Sequence, residues 1–301
     1  MKKVVYMALA VILTACGNAN SKYDATGVFE ATEVVVSSEQ TGRILMLDVN
    51  EGDRISEGSQ VGLIDTVQLY LKARQIGATK LVYASQIPET QKQIASLSEQ
   101  LDKARQDESR FANLVSEGAA NSKMLDDARS QVAVLQKQID ALRSTLQNST
   151  NSLNAQMSTA DVQQLQVLDQ LQKCRVISPL TGVVVEKYSE RGEFTAPGKP
   201  LFKVADIDEI FLRAYITAPQ LTKLKLGQKV RVFADEGEKD RREYEGTVTW
   251  IASKSEFTPK TIQTRSERAN LVYAVKVSVK NDGLIKIGMY GEVAFGDGNG
   301  E

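Results

Sequence analysis

Few residues in this chain have the type and spacing that chemistry requires. The 301 residues include no histidine, which removes the usual general base at neutral pH and the commonest metal ligand. The two cysteines, Cys16 and Cys174, do not make a zinc site. Asp126 and Asp127 are adjacent carboxylates in a helical pattern. Neighbouring helix residues point in different directions, so the pair reads as solvated charge near a helix N-terminus and not as an acid and base. Ser178 stands before Pro179 and a strand pattern, which is a turn setting. Cys174 reads as a partly buried thiol where a helical stretch ends. No catalytic residue, metal or cofactor is expected.

Cys16 offers a different chemistry. Met1-Lys2-Lys3 is a basic start, and Val4 to Ala15 is an apolar run of twelve residues. That length suits the core of a signal peptide and is too short for a bilayer span of about 20 residues. Leu13-Thr14-Ala15-Cys16 resembles the lipobox of bacterial lipoproteins. The resemblance implies a signal peptide over residues 1–15, cleavage before Cys16 and diacylglycerol on its sulfur. An ordinary secretory signal before an unrelated cysteine is the alternative. Residues 16–27, small and polar from Gly17 to Thr26, read as the lipid-anchored tether. Without Lys2 and Lys3 the chain carries 35 basic and 38 acidic residues, a net charge of −3. A long-range field for gripping nucleic acid or an anionic membrane surface is therefore not expected.

The elements that position everything else are announced by glycines. Gly42, Gly52 and Gly58 are spaced ten and then six apart, and Gly182, Gly192 and Gly198 repeat that spacing 140 residues later. Gly42, Gly52, Gly118, Gly182 and Gly192 are read as structural turn glycines. Between the copies no proline occurs from Glu89 to Ser178, and the composition suits helix. Ile94, Leu97, Leu101, Ala104, Phe111 and Val115 follow a 3,4 spacing with Glu108 as the misfit. Leu125, Ala128, Val132, Leu135, Ile139, Leu142 and Leu146 continue it on the way back. Such a seam needs a partner helix. Two arms of roughly 50 residues folding back at Gly118 make an antiparallel hairpin about 75 Å long. Pro88 and the cluster Asn148 to Ser152 lie at equal distance from Gly118, which suggests a break at the same height in both arms. Each glycine motif is too short to bury a core alone. The two are therefore read as halves of one β unit that the hairpin interrupts.

The C-terminal third alternates apolar and polar residues in Ile210 to Ile216, Val230 to Phe233, Thr247 to Ile251 and Val275 to Val279. This pattern describes a small β-barrel shared with strands from Val28 to Ser37. The predicted fold class is thus mixed α and β, elongated: a β unit interrupted by a long antiparallel coiled-coil hairpin, then a small β-barrel; the family resemblance described below implies that the β unit is lipoyl-like and that the barrel is accompanied by a membrane-proximal β region. The predicted divisions are a barrel strand over 28–40, a first lipoyl-like half over 41–65 and a hairpin over 66–173 with its tip near 118. A second half over 174–206 and the barrel over 207–301 complete the chain.

Two lipoyl-like halves around a helical hairpin on a lipoprotein resemble the HlyD-type periplasmic adaptor subunits, or membrane fusion proteins. "RFANLVSEGAANSKMLDDA" resembles that family's tip pattern: Arg110 and Leu114 match, and Asn121, with Ser122 beside it, stands where the family has serine. The resemblance implies that these four residues dock an outer-membrane TolC-like channel. The segment from Glu256 to Val277 looks like the YbhG-like branch, which implies an inner-membrane ABC-type exporter. Thr258, Pro259, Lys260, Ile262, Gln263 and Thr264 are its transporter-facing candidates. The family also implies a ring, often of six copies, with hairpins packed through their charged faces, in the periplasm and anchored to the inner membrane. An adaptor of a proton-driven (RND-type) pump is the alternative within the class. Outside it stand a coiled-coil structural or cargo-binding lipoprotein and a lipoyl carrier domain, for which Lys72 is the nearest candidate lysine. No nucleic acid partner is expected.

Overall fold

Strands β1 (Ala25–Ser37) and β8 (Pro200–Thr217) are the two long strands of the β portion, and their pairing organises it. In the computed structural model, which describes residues 23–235, 237, 241–256 and 271–296, they run antiparallel along nearly their whole length. A register shift between Ala31 and Thr32 divides that ladder. On one side Thr26–Ala31 face Ile210–Tyr215, and on the other Thr32–Val36 face Phe202–Asp206. One pair of strands thereby serves two structures, because a bulge bends the ladder and redirects its side chains.

The first structure is a closed barrel. β12 (Tyr290–Ala294), β9 (Lys229–Asp235), β10 (Arg241–Ile251) and β11 (Val272–Lys280) connect β1 back to β8, and the β1–β8 pairing shuts the ring. Alternation explains the interior. Ile210, Leu212, Ala214 and Ile216 of β8 are fully buried at every second position, as are Val275 and Val277 of β11 and Val293 of β12. Closure removes the open edge that a small sheet would otherwise expose.

The second structure answers why the glycine motif occurs twice. β2 (Gly42–Leu47), β3 (Arg54–Ile55) and β4 (Gln60–Ile64) form the first half. β5 (Arg175–Ile177), β6 (Gly182–Lys187), β7 (Phe194–Thr195) and the start of β8 form the second. The halves bond reciprocally. Gly52 N–H donates to Val184 O and Gly192 N–H to Ile44 O, each at 2.8 Å. Val184 N–H reaches Asp53 O and Ile44 N–H reaches Glu193 O. Gly58 N–H bonds Ser178 O and Gly198 N–H bonds Ser38 O, both at 2.9 Å. Every bond recurs with its partners exchanged and 140 added or subtracted, so each half completes the ladder of the other. Gly52, Gly58, Gly192 and Gly198 all have positive φ.

Gly42 and Gly182 are a correction. They begin strands and do not take the left-handed conformation of a turn. Their requirement is close approach: a Cβ on Gly182 would lie 2.2 Å from Ala205 O, and one on Gly42 2.9 Å from Ile64 Cγ2.

The helical portion comprises α1 (Val67–Ser85), α2 (Thr90–Ser116) and α3 (Ser122–Lys173). The outgoing arm breaks at Gln86–Glu89, where Pro88 supplies no N–H. The expected matching break in the return arm is absent: α3 runs unbroken for 52 residues, about 78 Å. Asn148–Ser152 lower helix propensity without removing an N–H or forcing φ. Gln147 bonds Asn151 within the helix, and Leu146 and Leu153 keep the seam buried on either side. The break in the other arm also preserves register. Lys80 faces Asp161 below it and Arg105 faces Gln136 above it, and the residue numbers of each pair add to the same total. Ile94, Leu101, Leu135, Ile139 and Leu146 form the buried seam. Glu108, the misfit, lies against Arg129 at 3.7 Å. At the base Ile64 N–H bonds Cys174 O at 2.8 Å, tying the two ends of the insertion together. Among the described residues no helix is long and apolar enough to cross a membrane.

Candidate functional site

The hairpin tip is a five-residue turn, Glu117–Asn121, in which Gly118 takes φ +72° and closes α2. Ala119 N–H bonds Leu114 O at 2.8 Å, so Leu114 belongs to the last turn of the helix and is half-buried there. Arg110, one turn below, is exposed, pairs with Asp107 and lies over the ring of Phe111. Asn121 is the N-cap of α3: its Oδ1 accepts from Lys123 N–H at 3.0 Å. Ser122 Oγ lies 3.4 Å from the same oxygen. The fold therefore brings Leu114, Asn121 and Ser122 to one exposed end, with Arg110 on the approach. Asn121 has a structural duty of its own, because it satisfies a helix N–H that would otherwise lack a partner.

Directly below the tip, α2 and α3 leave a groove of about 490 Å³ between them. Ala104, Phe111, Met124, Ala128 and Leu135 line it, with Asp107 and Asp127 at its rim. Met124 is 47% exposed. Lys103, Gln100 and Gln131 line it as well, so its apolar floor has margins of mixed charge. Asp126 and Asp127 are both exposed.

The remaining sequence candidates are dispersed. Cys174 is fully buried, more so than its sequence setting suggests. Its thiol lies 3.4 Å from Gln170 O, and burial, with Asp65 adding to it, pushes its pKa up. Ser178 is buried and donates to Leu180 O at 2.7 Å, which completes the turn before β6. Lys72 is exposed on α1. Cys16 and the transporter-facing candidates Thr258, Pro259, Lys260, Ile262, Gln263 and Thr264 lie outside the described residues.

One apolar surface was not anticipated. The inward face of α1 packs Ala73 and Ile76 toward α3, yet its opposite face carries Val67, Tyr70, Leu71, Leu81 and Val82, all more than half exposed. On α3 at the same height, Val162 and Leu165 are 53% and 63% exposed and point away from α1. The part of the hairpin nearest its base thus has two apolar outer edges. Between Gln86 and Asp161 the only large exposed apolar residues are Met124 and Val134. This segment offers apolar edges beside the charged faces through which hairpins were expected to pack. The signal was legible, since Val67, Leu71, Ala78 and Leu81 repeat at spacings of 4, 7 and 3 on the face opposite the seam.

A β unit built of exchanged halves, interrupted by a helical hairpin and joined to a closed barrel, is a fold shared with solved structures. The comparisons agree. MacA from Actinobacillus actinomycetemcomitans matches with a TM-score of 0.51 over 89% of this chain and 76% of its own, at 21% identity. A MacA–MexA chimeric protein containing the Pseudomonas aeruginosa MexA α-hairpin domain also gives 0.51, at 20% identity, over 89% and 78% of the two chains. These structures share the fold. In sequence, the chain is 25% identical to a UPF0194 membrane protein of Acidithiobacillus ferridurans, covering 85% of this chain and 81% of that one. A UPF0194 membrane protein of Yersinia enterocolitica is 25% identical and covers 98% of each. No family model matches the chain.

Proposed function

We propose that this chain is the periplasmic adaptor of a tripartite export system, a lipoprotein that links an inner-membrane ABC-type exporter to an outer-membrane channel. The observation that carries the reading is the reciprocal bonding of the two lipoyl-like halves. Within the hairpin, Ile64 N–H on Cys174 O ties the two ends of the insertion together, and the 52-residue return helix puts the tip about 78 Å from that base. A carrier domain presents a lysine on a short turn between such halves; here the hairpin occupies that place, and Lys72 lies within helix α1.

In this reading the chain performs no reaction. Its barrel meets the exporter through residues 258–264, and Arg110, Leu114, Asn121 and Ser122 meet the channel. Copies associate side by side through the two apolar edges near the hairpin base. The edges lie on opposite sides of the two-helix ribbon. A contact between them is therefore head-to-tail, and it closes into a ring when the rotation between copies allows.

A photo-crosslinker at Ile262, irradiated in living cells, tests the exporter. Capture of an ABC permease is expected. Capture of a large proton-driven pump keeps the adaptor and replaces the branch; capture of a soluble enzyme subunit sinks the adaptor reading. A second crosslinker at Leu114 is expected to capture an outer-membrane channel. Self-capture alone there would favour a structural coiled-coil lipoprotein.

A further inference from the structure

One end of the barrel is knit together by direct bonds. Gln220 Nε2 donates to Asp24 O at 2.6 Å, Phe295 N–H to Asp24 Oδ2 at 2.7 Å, and Gln228 Nε2 to Phe295 O at 3.0 Å. Gly227 N–H bonds Val248 O at 2.8 Å, and Val272 bridges Glu256. This end lies opposite the one where β1 and β8 continue into the lipoyl-like strands, because β1 starts here at Ala25.

Its surface sets exposed apolar side chains beside lysines. In the loop Thr222–Gly227, Leu224 plugs the interior at 6% exposure, while Leu226 next to it is 66% exposed. Trp250, the only tryptophan, is 42% exposed at a bulge two residues beyond the carbonyl that Gly227 binds. Leu271, just before β11, is 44% exposed. From Thr217 to Gln228 and from Val248 to Ser255 there is no acidic residue. Lys223, Lys225 and Lys254 are exposed there and form no ion pair among the described residues, whereas nearby Lys229 is paired with Glu245. Exposed leucine and tryptophan interleaved with unpaired lysines is the composition of a surface that meets lipid: the rings and aliphatic groups enter the headgroup boundary and the ammonium groups reach phosphate.

The chain itself limits how far the lipid can be. Cys16 precedes Tyr23 by seven residues, a reach of at most about 25 Å, and Asp24 is bonded into this barrel end. We propose that this end of the barrel seats directly on the anionic surface of the membrane, with Leu226 and Trp250 at the headgroup boundary and Lys223, Lys225 and Lys254 on lipid phosphates. The inference rests on the reading of Cys16 as a lipid anchor. It adds a second attachment, so the anchor is no longer a free leash and the barrel has a defined height above the bilayer.

The single tryptophan makes the test direct. The full lipidated chain, its Cys16 modification verified by mass, is reconstituted into vesicles of phosphatidylethanolamine and phosphatidylglycerol. Trp250 emission is then read with and without brominated acyl chains. The expected result is a shift to shorter wavelength and at least about twofold quenching by bromine, both weakened by salt and in phosphatidylcholine vesicles. Leu226→Asp and the double variant Lys223→Glu/Lys225→Glu should each abolish most of the quenching while leaving circular dichroism unchanged. Unquenched, unshifted emission from a chain that carries its lipid overturns this inference and leaves the anchor standing. A chain recovered without lipid on Cys16 overturns both. A photo-crosslinker at Leu226 that captures a membrane transporter in cells, with no lipid quenching in vesicles, assigns the face to protein and also overturns it.

Discussion

At the scale of single residues, the glycines divide by physical requirement. Gly52 has open space around its absent Cβ and needs only its positive φ, whereas Gly182 has no room for a methyl group. Gly52→Ala should cost about 1 kcal/mol, the penalty for a left-handed alanine. Gly182→Ala should cost roughly 2–3 kcal/mol, because backbone must move; thermal unfolding of the two variants gives the order. Cys174 carries a second prediction. Its buried thiol should resist iodoacetamide in the native protein and react at once in denaturant. Its raised pKa has a sign: native and unfolded chains are both protonated below the ordinary thiol range, so the contribution is complete there. It is lost as pH rises past that range, where only the unfolded chain ionises. Stability should therefore fall on the alkaline side, and Cys174→Ala should flatten that fall in urea titrations at pH 8 to 10.

At the scale of elements, the hairpin shows how a seam survives a broken helix. Pro88 interrupts the outgoing arm, but the facing pairs Lys80–Asp161 and Arg105–Gln136 hold one register across the gap. Restoring the missing N–H should therefore let α1 and α2 fuse without shifting either. Pro88→Ala is expected to raise the 222 nm helical signal and the melting temperature slightly; a drop in stability would show that the break relieves strain. At the tip, Asn121→Ala should remove about 1 kcal/mol of helix capping, with Asn121→Asp restoring it. The apolar edges are tested by Leu71→Asp and Leu165→Asp. Each should dissociate copies in sedimentation analysis without lowering helical content, because both side chains face away from the seam. Their visibility in sequence was mixed. The seam from Ile94 to Leu146 was read directly, since its period is that of a buried stripe. The outer face of α1 also repeats at helical spacing, from Val67 to Leu81, but period alone does not say which of two apolar faces is buried.

At the scale of the whole molecule, the 140-residue repeat, the 3,4 seam and the alternating strands were enough to identify a split β unit, a hairpin and a barrel, since each is a local periodicity that one layer of burial imposes. Net charge is less informative at the same scale. A near-neutral total does not reveal that Thr217–Gln228 and Val248–Ser255 carry lysines and no acid, because averaging over the chain erases such clustering. Capture at Ile262 and quenching of Trp250 address different attachments of one barrel, to an exporter and to lipid, and either can fail alone. By itself the sequence determined which segments pair with which, because glycine spacing and apolar period state what each segment must bury. Only the tertiary structure decided that the two halves exchange their bonds residue for residue, and that α3 stays whole opposite a broken partner. Only it gathered Leu226, Trp250 and three lysines from separate loops at one end. Those outcomes depend on which backbone groups and side chains come into contact across long stretches of chain, and no local pattern encodes that.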